Sequence, residues 1–218
     1  MKMYKSYAVL GLGRYGMSVA ETLAENGADV LAVDSNIEIV NEAAEKIPLC
    51  KCADITDISV LKELGIENID VVIISMASDL ESTILTTSLC KELGVSKIIV
   101  KSSNEMHKKI LLQIGADEVV IPEKESGVRI AKNLLHSNCV DIMEVSKDVS
   151  IIELDMKEEW INKTVIDINF RKKYGINIIA IRDGNKVHTN IKPDLVLTKS
   201  MKLIVVIRLS QLKKLVSM

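Results

Sequence analysis

The chain has 218 residues, 48% hydrophobic and 27% charged, which is typical of a globular protein with one large or two small domains. Its 28 basic and 30 acidic residues give a formal net charge of -2, which argues against non-specific nucleic-acid binding. The longest apolar runs, such as residues 203–207, are far shorter than the roughly 20 residues that cross a bilayer, and the start of the chain shows no secretory pattern. We therefore expect a cytoplasmic protein that spans no membrane and binds no nucleic acid.

Short β-branched runs alternate with helical patterns from Tyr7 to about His136, which predicts βαβ units around a parallel sheet buried on both faces. Two of the apolar helix patterns end at Gly27 and Gly94, where we expect left-handed caps. The six predicted strands are Tyr7–Leu10, Asp29–Val33, Pro48–Cys50, Val71–Met76, Lys97–Val100 and Glu118–Ile121. The order of elements predicts an α/β fold with a doubly wound, Rossmann-like sheet.

A second, smaller α+β domain is predicted after a helical pattern at Glu123–His136, because Ser137–Cys139 breaks that pattern. We place the boundary so that residues 1–137 form the first domain, including this helix, and residues 138–218 form the second. The elements predicted in the second domain are strands at Ser150–Leu154, Asn177–Ile181, Lys186–Thr189 and Lys202–Ile207, a helical patch at Ile161–Asn169, and a hairpin turn at Asp183–Asn185.

One motif carries most of the chemical information. Gly11, Gly13 and Gly16 form a Gly-x-Gly-x-x-Gly loop between the first strand and a helix, where glycines permit a tight turn and close approach of a phosphate. The free N–H groups of the helix N-terminus then favour an anion. Asp34 ends the second strand, where its carboxylate would accept hydrogen bonds from ribose hydroxyls and repel a 2′-phosphate. These features predict a site for an unmodified adenosine nucleotide.

Three further features lie on the same predicted sheet edge. Arg14, inside the loop, either binds a phosphate, in its own subunit or across a dimer interface, or is a solvated surface residue. Asp54, after the third strand, either accepts from an adenine amino group or caps the helix that begins near Asp57. The loop Met76–Asp79 follows the fourth strand, so we expect it to line the pocket.

The residues favour a nucleotide sensor over an enzyme. The three histidines are scattered, and no second large domain is present to place an acid or base beside a nicotinamide. Hydrolase, zinc-protease and Walker motifs are also missing. A small NAD-dependent oxidoreductase or a redox sensor remains the alternative, and a redox-sensing repressor would need a basic winged helix that neither end of the sequence shows.

The sequence resembles the RCK family, the cytosolic gating subunits of Ktr- and Trk-type potassium uptake systems. The resemblance rests on residues 8–16, Val33-Asp34, Ala53-Asp54, Val100-Lys101 and the Gly-Ala-Asp stretch at 115–123, and it extends over nearly the whole chain. It implies a homodimer swapped through the helix at Glu123–His136 and an octameric ring of dimers. The ring would lie under a potassium-translocating membrane subunit, at the inner face of the cell membrane.

The resemblance also implies that ATP and ADP compete for the Rossmann site, with NAD(H) replacing them in some members. By position, Gly11, Gly13, Arg14 and Gly16 would hold phosphates, Asp34 and Asn36 the ribose, Asp54 the adenine side, and Lys101 the ligand's rim. The other residues predicted for this site are Tyr15, Ser35, Ile55, Met76, Ala77, Ser78 and Glu123. Glu123 either helps to bind a divalent cation or is an ordinary first-turn helix glutamate.

Residues 165–177 resemble a stretch that binds cyclic di-AMP between two protomers in some members. The roles that this resemblance implies are adenine stacking for Ile166 and Ile168, phosphate binding for Arg171, base-edge contacts for Asn177 or the backbone near Ile176, and closure of the site by Pro193, with Tyr174 and Gly175 in the same stretch. The alternative is that this apolar stretch forms a purely structural dimer interface.

Overall fold

The computed structural model describes residues 5–76, 79–135, 139–146, 148–208 and 210–211. The chain divides into two compact units, Met1–Glu125 and Ser126–Met218. This division falls inside the helix that the sequence analysis assigned wholly to the first domain. The boundary after residue 137 therefore stays a prediction.

The first unit is a parallel six-stranded sheet with the strand order β3-β2-β1-β4-β5-β6. Its elements are β1 (Ser6–Leu10), α1 (Arg14–Glu25), β2 (Asp29–Asp34), α2 (Ile37–Ala44), β3 (Leu49–Cys52), α3 (Ile58–Glu63), a 3₁₀ turn (Ile66–Asn68), β4 (Val71–Ile74), α4 (Leu80–Glu92), β5 (Lys97–Lys101), α5 (Glu105–Ile114), β6 (Glu118–Val120) and the start of α6 (Pro122–Leu135). All five neighbouring strand pairs are parallel, which confirms the predicted doubly wound fold. The strand order reverses between β1 and β4, and ligands of such sheets bind at the carboxyl end of that reversal.

Local sequence explains where the helices of this unit begin and end. Asn36, Asp57, Asp79 and Asn104 each accept a backbone N–H from the first turn of α2, α3, α4 and α5, which satisfies a donor that the helix itself leaves unpaired. Gly27 and Gly94 follow α1 and α4 with φ of 76° and 80°, so the predicted left-handed caps are confirmed.

The second unit is built on an antiparallel sheet with the strand order β10-β9-β11-β8-β7. Its elements are β7 (Cys139–Glu144), β8 (Val149–Asp155), a 3₁₀ turn (Glu158–Trp160), α7 (Val165–Ile168), α8 (Phe170–Lys173), β9 (Asn177–Asp183), β10 (Lys186–His188) and β11 (Met201–Arg208). Its core is closed by an aromatic cluster in which the Trp160 ring lies 5.0 Å from Phe170 and 5.3 Å from Tyr174, edge to face.

Two details of this unit differ from the sequence prediction. Strand β7 was not predicted, because residues 137–139 were interpreted as a break with no strand before Ser150. The single helical patch predicted at Ile161–Asn169 is instead the short α7, followed directly by α8. Asn169 separates the two because its φ of 54° is left-handed and incompatible with a continuous helix. Among the described residues, no helix is both long and apolar enough to span a bilayer.

Candidate functional site

The glycine loop lies at the carboxyl end of β1, at the point where the strand order reverses. Gly11 has a left-handed φ of 93°, and its N–H donates to the Val33 carbonyl at 2.8 Å. A Cβ on Gly16 would overlap the Gly11 carbonyl oxygen, so α1 approaches the loop as closely as only glycine allows. A Cβ on Gly13 would meet no atom within 4 Å. Gly13 precedes α1 without a side-chain cap, so this helix start leaves its N–H groups to a ligand or solvent.

Asp34 ties the loop to the end of β2. Its Oδ2 accepts the N–H of Leu12 at 2.7 Å and its Oδ1 accepts the N–H of Asn36 at 2.9 Å. Each carboxylate oxygen still has a lone pair that can accept from a hydroxyl. Two backbone N–H groups, one from the glycine loop and one from the residues after β2, therefore orient the side chain that is predicted to hold a ribose.

The residues after Asp34 and after β3 form the neighbouring rim. Asn36 uses its side-chain oxygen to cap α2, accepting the Glu38 N–H at 2.9 Å, and the Ser35 carbonyl accepts from the Cys52 thiol at 3.4 Å. Asp54 accepts the N–H and the hydroxyl of Thr56 at 3.0 and 2.6 Å, and these hydrogen bonds lower the pKa of the Asp54 carboxyl. Asp57, not Asp54, caps α3, so the capping alternative for Asp54 is wrong.

Two predicted residues contribute to packing at this edge. Ile55 is 4% exposed in the core, and its carbonyl accepts the Thr86 hydroxyl at 3.1 Å. The Met76 side chain lies within 2.9 Å of where a Cβ on Gly11 would stand, so it contacts the loop from the β4 side. Ala77 and Ser78, which were also predicted to line the pocket, lie outside the described residues.

A charged cluster lies at the start of α1 and α6. The Lys101 ammonium is 2.9 Å from Glu123 Oε1 and 5.8 Å from the centre of the Tyr15 ring. The hydrogen bond from Lys101, with a smaller contribution from the charge of Arg14, lowers the pKa of Glu123. Burial, followed by the charges of Glu125 and Glu118, raises the pKa of Tyr15. The structure therefore brings Arg14, Tyr15, Lys101 and Glu123 together.

The described residues of one protomer offer the predicted cation at Glu123 no cluster of ligands. In the described ranges, no three His, Cys, Asp or Glu side chains lie close enough to hold a metal ion. Glu123 is paired with Lys101 instead. The cation stays a prediction that needs ligands from a nucleotide or a second protomer.

Ser75 is a site residue that the sequence analysis missed. It is 9% exposed, and its hydroxyl has no hydrogen-bond partner among the described residues. Its Cβ lies 3.2 Å from where a Cβ on Gly16 would stand, directly under the glycine loop. The only signal in the sequence is a hydroxyl residue at the end of an otherwise apolar strand.

The second unit contains a cleft of about 470 Å³. Five of the residues predicted to bind a cyclic dinucleotide line it: Ile166, Arg171, Ile176, Asn177 and Pro193. Among the other lining residues, Val165, Asn169 and Phe170 lie within the stretch 165–177 but had no predicted role, and Ile178 and Ile191 were missed. An apolar surface with one guanidinium and two amides at this volume suits a ligand with aromatic rings and a phosphate.

The other three predicted residues lie outside the cleft lining. Ile168 is 7% exposed in the core, whereas Ile166 is 65% exposed, because two residues along a helix point to nearly opposite sides. Tyr174 packs against Trp160, and its hydroxyl donates to Glu159 at 2.7 Å. Gly175 has a left-handed φ of 68°, and a Cβ there would overlap the Gln211 amide.

The parallel sheet with its glycine loop at the strand-order reversal, joined to a small antiparallel domain, defines a two-domain protein of the Rossmann-like class. The TrkA-N domain family matches residues 7–122, and the TrkA-C domain family matches residues 149–218. The chain therefore belongs to the RCK family of Ktr- and Trk-type potassium uptake proteins.

Two relatives from Bacillus subtilis illustrate the similarity. The chain is 43% identical to Ktr system potassium uptake protein C over 85% of this chain and 84% of that protein. It is 39% identical to Ktr system potassium uptake protein A over 87% and 86% of the two chains. A solved structure, the GsuK channel bound to NAD, matches with a TM-score of 0.64 and 19% identity over 97% of this chain. The match spans 38% of that longer channel and shows a shared fold.

Proposed function

We propose that this chain is a regulatory subunit that controls a potassium-translocating membrane subunit through the adenine nucleotide bound in its first domain. The observation that carries the proposal is the Asp34 carboxylate, fixed by two backbone N–H groups beside the glycine loop at the strand-order reversal. A carboxylate there favours the unmodified ribose of ATP, ADP or NAD(H). The names of the two Bacillus subtilis relatives support the potassium uptake system as the setting.

The proposed mechanism is conformational, not catalytic. The start of α1 and the guanidinium of Arg14 would hold phosphates, and Lys101 would reach the ligand once it leaves Glu123. ATP carries one more phosphate than ADP and gains contacts that ADP lacks, from Arg14 of the same or a neighbouring subunit. A nucleotide can shift the equilibrium between two conformations of the protein only if it binds one conformation more tightly than the other.

Membership of the RCK family supports the proposed assembly. Homodimers swapped through the helix after β6 would form an octameric ring at the inner face of the cell membrane, where the ring would pull on the membrane subunit. If small-angle scattering gave the same ring dimensions in saturating ATP and saturating ADP, this mechanism would be contradicted.

The cleft of the second unit is proposed as a cyclic di-AMP site. Ile166 and Pro193 offer apolar surface for adenine, Arg171 offers a phosphate ligand, and Asn177 offers an amide for a base edge. The exposure of Ile166 supports this assignment, because a 65% exposed isoleucine leaves apolar surface for a ligand or a second protomer. A divalent cation at Glu123 is proposed as a cofactor that would displace Lys101 from that carboxylate.

Calorimetric titration with ATP, ADP, NAD and NADH tests the nucleotide proposal. We expect tight binding of ATP and ADP that Asp34→Ala abolishes, whereas Asp29→Ala, at the opposite end of the same strand, leaves binding unchanged. Circular dichroism and Asp34→Asn separate lost binding from lost folding, because asparagine keeps one oxygen to accept a loop N–H. Binding of NADH alone would favour a redox sensor or a small oxidoreductase.

A further inference from the structure

The second unit contains another cavity, of about 370 Å³, which shares no lining residue with the cyclic-dinucleotide cleft. We name it the second cavity. Its floor is apolar, because Ile181 is fully buried and Leu195 and Met201 pack against the core of the unit. A cavity of this size lies within the range of small-molecule sites.

The rim of the second cavity is polar and open to solvent. His188, Asn190, Lys192 and Asp194 are exposed lining residues, and within the described parts of the chain none of their side chains forms a hydrogen bond or an ion pair. Lys192 and His188 can donate to an anion, and Asp194 can accept from an N–H or O–H group. An apolar floor under this rim fits a ring that carries one acidic group and one donor.

One segment forms a wall of both cavities. Ile191 and Pro193 line the cyclic-dinucleotide cleft, whereas Asn190, Lys192 and Asp194 line the second cavity. The segment is a turn, in which the Leu195 N–H donates to the Lys192 carbonyl at 3.1 Å, and its side chains divide between the two cavities. Any ligand that moves the segment on one side therefore changes the lining on the other side.

Hydrogen bonds connect the wall to the cleft's own helix. The Pro193 carbonyl accepts the Ile166 N–H at 3.0 Å, and the Leu195 carbonyl accepts the Val165 N–H at 3.2 Å. Ile166 and Val165 themselves line the cleft. Backbone hydrogen bonds, as well as the shared wall, therefore connect the linings of the two cavities.

We propose that the second cavity binds a small molecule with an aromatic or apolar ring, one acidic group and one hydrogen-bond donor, and that its occupation changes the affinity of the neighbouring cleft. The site itself is independent of the function proposed above. The coupling rests on the proposed binding of cyclic di-AMP.

Anilinonaphthalene sulfonate is a suitable probe, because it has aromatic rings, a sulfonate and an N–H donor, and its fluorescence rises in apolar sites. In titrations of the full chain, we expect Lys192→Glu to weaken binding about fivefold or more, since it replaces the cation by a repelling charge. Lys186→Glu is the matched control: Lys186 is exposed on β10 and does not line the cavity. Equal effects of the two variants would overturn the site.

Ile166→Glu separates the two cavities, because it places a charge in the cyclic-dinucleotide cleft only. Probe binding that persists in this variant supports the second cavity, and loss of binding assigns the probe to the cleft and overturns the proposal. Circular dichroism and thermal melting verify that all three variants are folded.

The coupling is tested by titrating cyclic di-AMP into the full chain with and without saturating probe. We expect at least a twofold change in its Kd, with the same factor for the probe when the order is reversed. An unchanged Kd overturns the coupling. If cyclic di-AMP does not bind even without the probe, the proposed role of the cleft and the coupling both fail, and the probe result alone supports the second cavity.

Discussion

At the scale of single residues, the glycine loop combines a position that cannot tolerate a side chain with one that can. A Cβ on Gly16 overlaps the Gly11 carbonyl, whereas Gly13 faces open space with an ordinary φ of -60°. Gly16 is therefore required by packing. Gly13 leaves room where a phosphate is expected to approach.

Gly16→Ala is predicted to destabilise the protein strongly, by roughly 2–4 kcal/mol, because α1 or the loop must shift to relieve the overlap. Gly13→Ala is predicted to leave stability nearly unchanged and to weaken nucleotide binding. Thermal melting and calorimetry of the two variants measure both effects. Equal loss of stability in both would contradict this division of roles.

Ile166 and Ile168 form a second matched pair. Ile166→Ala is predicted to weaken cyclic di-AMP binding with little change in stability, because the side chain is 65% exposed at the cleft. Ile168→Ala is predicted to cost about 2–5 kcal/mol, as expected for a buried isoleucine. Urea unfolding measures stability and calorimetry measures binding. A stability loss at Ile166 that matched the loss at Ile168 would remove the basis of the cleft assignment.

Side-chain direction within short helices was beyond the sequence analysis. Ile166 and Ile168 are equally apolar, and no periodicity distinguishes them in a helix of four residues. The orphaned Ser75 hydroxyl was missed for a similar reason, because its burial depends on the approach of α1 and not on its neighbours in sequence. The sequence did predict that four residues lie together at one sheet edge, because a glycine loop after one strand and a carboxylate at the end of the next define that edge. These residues are Gly11, Gly13, Gly16 and Asp34.

At the scale of elements, the parallel sheet was predictable and parts of the second unit were not. Buried parallel strands consist of continuous apolar runs, such as Val71–Ile74, that stand out between helices. Strand β7 has an acidic residue inside it, Asp141, and follows a polar stretch, so local pattern favoured a loop. Its pairing with β8 is a tertiary effect that local propensity does not encode.

The start of α3 gives a pH-dependent prediction. Hydrogen bonds from the Ser59 hydroxyl and N–H lower the pKa of Asp57 below its ordinary value of 3.8. Because the folded pKa is lowered, this contribution to stability is fully present above the unfolded pKa and is lost as the pH falls through the folded pKa.

Asp57→Asn keeps an oxygen that caps the helix and does not titrate. Wild type is therefore predicted to lose stability relative to Asp57→Asn as the pH falls below about 4, with a constant difference between pH 6 and 8. Urea unfolding midpoints at several pH values measure this difference. A difference that does not vary down to pH 3 would show that the cap does not depend on the carboxylate's charge.

At the scale of the whole molecule, the two units carry separate candidate sites. We predict that ATP slows hydrogen exchange most strongly within residues 5–76 and 79–125, and that cyclic di-AMP slows it most strongly within residues 162–197. Each ligand stabilises the unit that binds it, by about 2.7 kcal/mol at a concentration of 100 Kd. Asp34→Ala should remove only the ATP effect. Equal protection of both units by either ligand would contradict the assignment.

The strand order also determines when the proposed nucleotide site can form during folding. Strand β1 pairs with β2 across a short stretch of chain, Ser6 with Asp29, but with β4 only across a much longer one, Tyr7 with Val71. Closing the longer loop costs more chain entropy, so β1 is expected to pair with β4 after it has paired with β2. Ser75 and Met76 follow β4 and contact the glycine loop, so a chain released before β4 is made lacks this side of the candidate site. Binding of the proposed nucleotide would thus report that β1 has paired with β4.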